Sequence, residues 1–311
     1  IIFGRNIETP DQVKRLTAAL REASDDPDAL VFIDQEGGAV SRLKGPHLRH
    51  PPHPAHFAAL YRQDPETGAE AAWLNARLMA DELKAVGVDA NCAPMLDVVA
   101  EDAHPFLTSR ALGHTADAVI AMGKAVALGL RQGGVAPVIK HAPGHGKGDA
   151  DSHTDLPQVQ VSRETLEAED FKPFLALKKE AMLMTAHVVF DALDQNHPGT
   201  TSPSIVSTLI REEWGYDGLI LTDDINMQAL SGTIEERSQA ALAAGCDIIC
   251  HCNGVREDME SVARSVGPLS EKAQARAFAA RNVAKQKPSD FDTEAAEERL
   301  KALGLYEAQA V

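Results

Sequence analysis

Seven short apolar runs, each followed by a stretch of helical length, constrain this chain more than any other feature. The runs are Ile1–Gly4, Ala29–Asp34, Asp89–Val98, Val135–His141, Ala181–Val189, Gly218–Asp224 and Cys246–Cys252. Between them lie Thr9–Glu22, Thr67–Val86, Thr115–Gly129, Arg163–Lys179, Ser202–Trp214 and Ile234–Ala244, whose patterns suit helices. Asp11 and Gln12 after Pro10 mark one helix start, and Ser202 before Pro203 marks another. The apolar runs do not alternate with polar residues, which fits parallel strands buried on both faces. Repeated βα units of about 35 residues build either a doubly wound sheet or a (β/α)8 barrel.

The strand ends choose between these folds. Polar groups close almost every run: Arg5 and Asn6; Asp34, Gln35 and Glu36; Asp97; Lys140 and His141; His187; Asp223 and Asp224; His251 and Asn253. Such groups converge in the mouth of a barrel, whereas a doubly wound sheet uses only its crossover point. The expected fold is therefore a (β/α)8 TIM barrel, with its first strand upstream of Ile1. Leu269–Lys287 and Asp292–Leu303 read as closing helices. No linker or compositional break interrupts residues 1–311, so a single catalytic-type domain is expected.

Three stretches carry candidate chemistry. Asp223 and Asp224 end a buried run in I-L-T-D-D-I-N-M. A carboxylate there is costly unless it is paired or used, although Asp224 also suits a helix cap. In D-Q-E-G-G, Asp34–Gly38, two carboxylates precede glycines that permit a tight turn, with Arg42 further along. That stretch is either a capped turn or a polar ligand site, and no G-x-G-x-x-G dinucleotide fingerprint is present.

The third stretch, K-H-A-P-G-H-G-K-G-D-A-D-S-H-T-D-L-P, holds three histidines, three aspartates, two lysines and three glycines in Lys140–Pro157. It lacks the G-x4-G-K-[ST] order of a phosphate loop. A zinc site from His141, His145 and His153 with Asp149 or Asp151 stays open, on spacings that match no strong signature. So does a general acid/base loop, in which a carboxylate such as Asp151 orients His153 and glycines 144, 146 and 148 let the loop swing.

Charge and cysteine content exclude other classes. Thirty basic against 46 acidic residues leave a net charge of −16, which disfavours nucleic acid and anionic membranes as partners. Four cysteines make no disulfide framework, and C-x3-C-x-C at Cys246, Cys250 and Cys252 suits a buried strand better than zinc. With no run long enough to span a bilayer, a cytoplasmic protein is expected, and a monomer.

The Lys140–Pro157 stretch, with D-Q-E-G-G upstream and M-T-A-H-V-V-F then I-L-T-D-D-I-N-M downstream, resembles glycoside hydrolase family 3. The resemblance runs in order from Ile1 to about Asn253 and is most similar to the single-domain bacterial β-N-acetylhexosaminidases of peptidoglycan recycling. It implies a nucleophile at Asp223, a general acid/base at His153 and its dyad partner at Asp151. It implies sugar-binding roles for Asp34, Arg42, Arg110, Lys140 and His141. The implied reaction releases terminal non-reducing β-linked N-acetylglucosamine from muropeptides carrying anhydro-muramic acid, with no metal or organic cofactor. Two departures bear on substrate positioning. Ala39 and Ser41 replace polar residues in G-G-A-V-S-R, and T-S-R-A-L-G around Arg110 lacks an acid and an aromatic. A metal-dependent hydrolase and a non-catalytic muropeptide-binding protein are the rival readings.

Overall fold

Caps in the sequence set where the helices of this chain begin. The computed structural model describes residues 1–45, 49–101, 103–148 and 156–305. Thr9 and Thr115 accept backbone N–H groups from Gln12 and Ala118, starting helices Pro10–Ala23 and Ala116–Gln132. Asp64 starts Pro65–Ala85, and Thr233 with Glu236 forms a capping box at Ile234–Ala244. The Ser202 hydroxyl accepts the Ile205 N–H at 3.2 Å, ahead of a helix with wide π-type turns, Ser204–Glu213.

The strands are β1 (Phe32–Ile33), β2 (Gln35–Gly37), β3 (Val40–Ser41), β4 (Ala90–Asn91), β5 (Ala136–Ala142), β6 (Gln158–Val159), β7 (Met182–Thr185), β8 (Val189–Phe190), β9 (Leu219–Asp224) and β10 (Ile248–Cys250). Hydrogen bonds join β1, β4, β5, β7, β9 and β10, in that order, into a six-stranded sheet. The pairings β1–β4, β4–β5, β7–β9 and β9–β10 are parallel. Ile2 makes a further parallel bridge to Ile33. All seven predicted runs thus carry a strand or a bridge, and they succeed one another in chain order. A doubly wound sheet would reverse that order at a switch point. The fold is α/β of the barrel type.

The chain gathers into two compact units, Ile1–Met95, Glu101–Val138 and Arg281–Val311 in the first, Leu96–Ala100 and Ile139–Ala280 in the second. In the first, Ile33, Leu43, Met79, Leu83, Leu130 and Leu300 belong to one buried cluster. Removing such side chains from water stabilises by about 1.5–3 kcal/mol each. In the second, Trp214 packs edge-on to Phe171 and stacks on Phe174, with centroids 5.3 and 6.0 Å away.

One expectation needs correction. Arg163–Lys179 is not one helix but two, Arg163–Ala168 and Phe171–Ala176. Pro173 has no N–H to give the Glu169 carbonyl, so a continuous helix would lose a hydrogen bond where its ring also clashes. The break leaves Asp170 fully buried between the two segments.

Candidate active site

The second unit brings four chemistry-bearing strand ends together. Asp223 lies near the end of β9, and its Oδ1 accepts the N–H of Asp224 at 2.8 Å. Its Oδ2 lies 3.9 Å from Nε2 of His141, which follows Lys140 on β5. The Asp223 side chain keeps 24% of its surface exposed, enough for a ligand to reach the carboxylate. Burial pushes its pKa up, but His141, the Asp224 amide and Lys140 outweigh burial and hold it below the usual carboxylate value. Asp223 is therefore an anion at neutral pH.

Asp97 organises this region from beneath. Its carboxylate is fully buried and accepts three N–H groups. These are Nδ1 of His141 at 2.7 Å, the His141 backbone at 3.3 Å and the His145 backbone at 2.7 Å. Burial alone would raise its pKa, yet His141 and these donors hold it down. Because a carboxylate only accepts, Nδ1 of His141 carries a proton, and Nε2 faces Asp223. His187, also buried, stands between Thr200 and the end of β9. Its Nε2 lies 3.0 Å from the Asp224 carbonyl and its Nδ1 2.7 Å from the Thr200 hydroxyl. The carbonyl can only accept, so Nε2 carries the proton. Burial lowers the pKa of His187 despite the nearby aspartates, which keeps the ring neutral.

The loop after β5 is fixed at its base. Lys147 binds Asp170 at 2.6 Å and Glu169 at 2.8 Å. A side chain on Gly146 would collide with the Val98 carbonyl, and one on Gly144, whose φ is +134°, would crowd Asp170. These glycines thus have a packing reason as well as conformational freedom. Asp151 and His153 lie outside the described residues.

In the first unit, Gln35 shapes a tight β2–β3 hairpin. Its Oε1 accepts the N–H groups of Arg42 and Leu43, and its Nε2 donates to the Leu43 carbonyl. Gly37, at φ +117°, turns the chain where a side chain would strike Pro52. The Arg42 guanidinium lies 3.6 Å from Asp34 and 5.3 Å from the Phe3 ring centroid. Arg110 forms a buried bidentate pair with Glu36, both bonds 2.8 Å, and lies over Phe106 at 5.0 Å. Phe106 supplies an aromatic beside Arg110 although the motif following Arg110 lacks one.

The model for the glycosyl hydrolase family 3 N terminal domain matches residues 1–285. The chain belongs to glycosyl hydrolase family 3. A β-hexosaminidase from Methylococcus capsulatus is 40% identical over 257 residues, covering 81% of this chain and 75% of that protein. A family 3 β-N-acetylglucosaminidase from Paenibacillus superposes with a TM-score of 0.82 at 32% identity. The match covers 96% of this chain, which spans 61% of that longer one. Native NagZ from Neisseria gonorrhoeae gives 0.81 at 28% identity over 98% of this chain and 86% of that one.

As a family 3 chain, it places the residues singled out in the sequence in two groups. Asp223, His141 and Lys140 meet in the second unit, and Asp34 and Arg42 in the first, where Arg110 is paired with Glu36. Asp97 and His187 stood out in the sequence only as polar strand ends. Their partners lie 44 and 48 residues away for Asp97 and 13 and 37 away for His187, beyond any local motif. His145, which had no assigned part, contributes its backbone N–H to Asp97 and its ring edge to His141, centroids 6.1 Å apart. Among the described residues no group of three or more His, Cys, Asp or Glu could hold a metal ion, and no helix is long and apolar enough to cross a membrane.

Proposed function

We propose that this chain is a retaining exo-β-N-acetylglucosaminidase acting on muropeptide fragments that carry anhydro-muramic acid. Its β-hexosaminidase class rests on the family and on the relatives above. The observation that supports the finer reading is Asp223, an ionised and reachable carboxylate beside His141 at the end of β9. In this reading Asp223 attacks the anomeric carbon through an oxocarbenium-like transition state and forms a covalent glycosyl-enzyme. His153, oriented by Asp151, protonates the leaving oxygen and then takes a proton from the hydrolytic water. Lys140, His141, Asp34, Arg42 and Arg110 bind the sugar. Lys140 and His141 also keep Asp223 deprotonated, which a nucleophile requires. A monomeric catalytic domain in the cytoplasm completes the reading.

Hydrolysis of a chromogenic N-acetyl-β-glucosaminide, compared with the β-glucoside and repeated with chelator, tests it. Turnover of the first substrate, discrimination against the second and indifference to chelator are expected. Sugar binding without turnover would make the chain a muropeptide-binding protein instead, and loss of activity with chelator would make it a metallohydrolase.

A further inference from the structure

Two of the four cysteines stand apart from the other two. Cys92 and Cys246 are buried, whereas Cys250 and Cys252 are half-buried at the end of β10. Their sulfurs lie 3.5 Å apart. A disulfide would need them at about 2.05 Å, so no disulfide joins the pair in this structure.

The spacing selects what the pair can hold. An atom with sulfur bonds of about 2.3 Å spans 3.5 Å at an angle of roughly 100°. A linear two-coordinate ion would need the sulfurs about 4.6 Å apart on the same bond length. A tetrahedral ion has the right angle but needs further protein ligands, and the described residues offer no group of three or more donors. A pyramidal trivalent centre that brings its own third substituent needs only the two sulfurs.

The dithiol is tied to the candidate nucleophile. Cys250 pairs with Asp224 in the β9–β10 register, and its carbonyl accepts the Ile225 N–H at 2.9 Å. The Cys252 N–H donates to Asp224 Oδ1 at 3.0 Å, and the Asp224 N–H donates to Asp223. We propose that Cys250 and Cys252 form a chelating site for neutral trivalent arsenic and antimony species, and that its occupation slows the enzyme by shifting the end of β9.

The chemistry balances without a redox partner. An arsenic(III) oxide such as phenylarsine oxide forms two As–S bonds as two S–H bonds break, and its oxygen leaves as water with both protons. The Cys250 contact, burial and the charges of Asp224 and Asp223 push the Cys252 thiol above its ordinary pKa. Simple alkylation, which needs the thiolate, is therefore disfavoured, as is approach of anionic reagents. A neutral reagent that closes a chelate keeps its advantage, because the second sulfur is already in place.

Binding is independent of the proposed reaction, and only the rate measurement rests on it. The whole chain is titrated with phenylarsine oxide, and intact mass and turnover of the chromogenic substrate are followed together. One phenylarsenic group per chain is expected, with at least a tenfold loss of rate. A dithiol should reverse both effects and an excess monothiol neither. Cys250→Ser and Cys252→Ser should each keep turnover and lose the stoichiometric uptake, while Cys92→Ser should keep the uptake. Uptake that survives in Cys250→Ser, or that a monothiol reverses, overturns the site. Uptake with unchanged turnover overturns the link to β9. A chain that takes up arsenic but never hydrolyses the substrate sinks the proposed function and leaves the dithiol site standing.

Discussion

Nδ1 of His141 donates to Oδ2 of Asp97 at 2.7 Å, and its other nitrogen faces Asp223. Asp97 thus acts on Asp223, the proposed nucleophile, through His141. Asp97→Asn should cut kcat about 10- to 100-fold, by analogy with the loss of a carboxylate behind a metal-bound histidine. It should also destabilise, by about 3–5 kcal/mol if it behaves as a broken buried pair. Adding Asp97→Asn to His141→Ala should cost little further kcat per active site, because residues acting through one contact are not additive. Full additivity of the two losses would mean that Asp97 serves the fold alone.

Asp223 is held below the ordinary carboxylate range by His141, the Asp224 amide and Lys140, with burial opposing them. If Asp223 forms the proposed covalent bond, Asp223→Ala should abolish turnover of every substrate, by about 10⁴-fold or more. Its thermal midpoint should change little, since the side chain is partly exposed and accepts one local N–H. A large fall in melting temperature with activity retained would assign Asp223 to strand-end structure.

The strands were legible because parallel strands buried on both faces need unbroken apolar runs, and all seven such runs carry pairing. Helix starts were legible where Thr9, Thr115 and Ser202 cap. Three helices were not, one of them the single turn Pro105–Thr108. Pro54–Gln63 follows a proline-rich stretch, and Arg256–Val266 buries no residue fully, so its charges at Arg256, Glu257, Asp258 and Glu260 mask its apolar period. In the site, Asp223 and His141 could be named from sequence because they sit in specific motifs. Asp97 and His187 stood out only as polar strand ends, because their work lies in contacts that only the folded sheet creates. The Asp170 ion pair was hidden for a related reason: nothing near Asp170 in sequence announces Lys147, 23 residues before it.

Gly146 tests the base of the loop. A methyl group there would press on the Val98 carbonyl, next to Asp97, and backbone cannot swing aside as a side-chain end can. Gly146→Ala should destabilise by about 1–3 kcal/mol, the usual cost of overpacking. It should also slow turnover, because the same shift moves the His145 amide off Asp97. Urea melts and kcat measured on one preparation check both. A substitution that leaves both unchanged would show that the loop base is not tightly seated.

If His153 is the acid, its importance depends on the leaving group. His153→Ala should lose much less rate on an aryl glycoside with a good leaving group than on a natural disaccharide, since only the latter needs protonation. The kcat ratio between the two substrates, compared in parent and variant, is the measurement. Equal losses on both remove His153 from the acid role.

His187 gives the stability of this fold a pH dependence of known sign. Burial lowers its pKa in the folded state, whereas the unfolded chain takes up a proton near the ordinary value of about 6.5. Between those two values the unfolded state binds more protons, so stability is lost as pH falls through that window. Asp170 and Glu82 act in the opposite sense. Burial raises both, so each costs stability while ionised and gives it back as acid protonates it. The parent's profile mixes these effects, and the difference from a variant isolates one. His187→Gln keeps an N–H able to reach the Asp224 carbonyl but removes the titration. Urea melts from pH 7.5 to 5 should show the parent losing more stability than His187→Gln as pH falls, with the gap widening below about 6.5. A gap that stays constant across the series would mean that His187 takes up its proton as readily in the folded as in the unfolded chain, and the depressed, neutral ring donating to Asp224 would have to be abandoned.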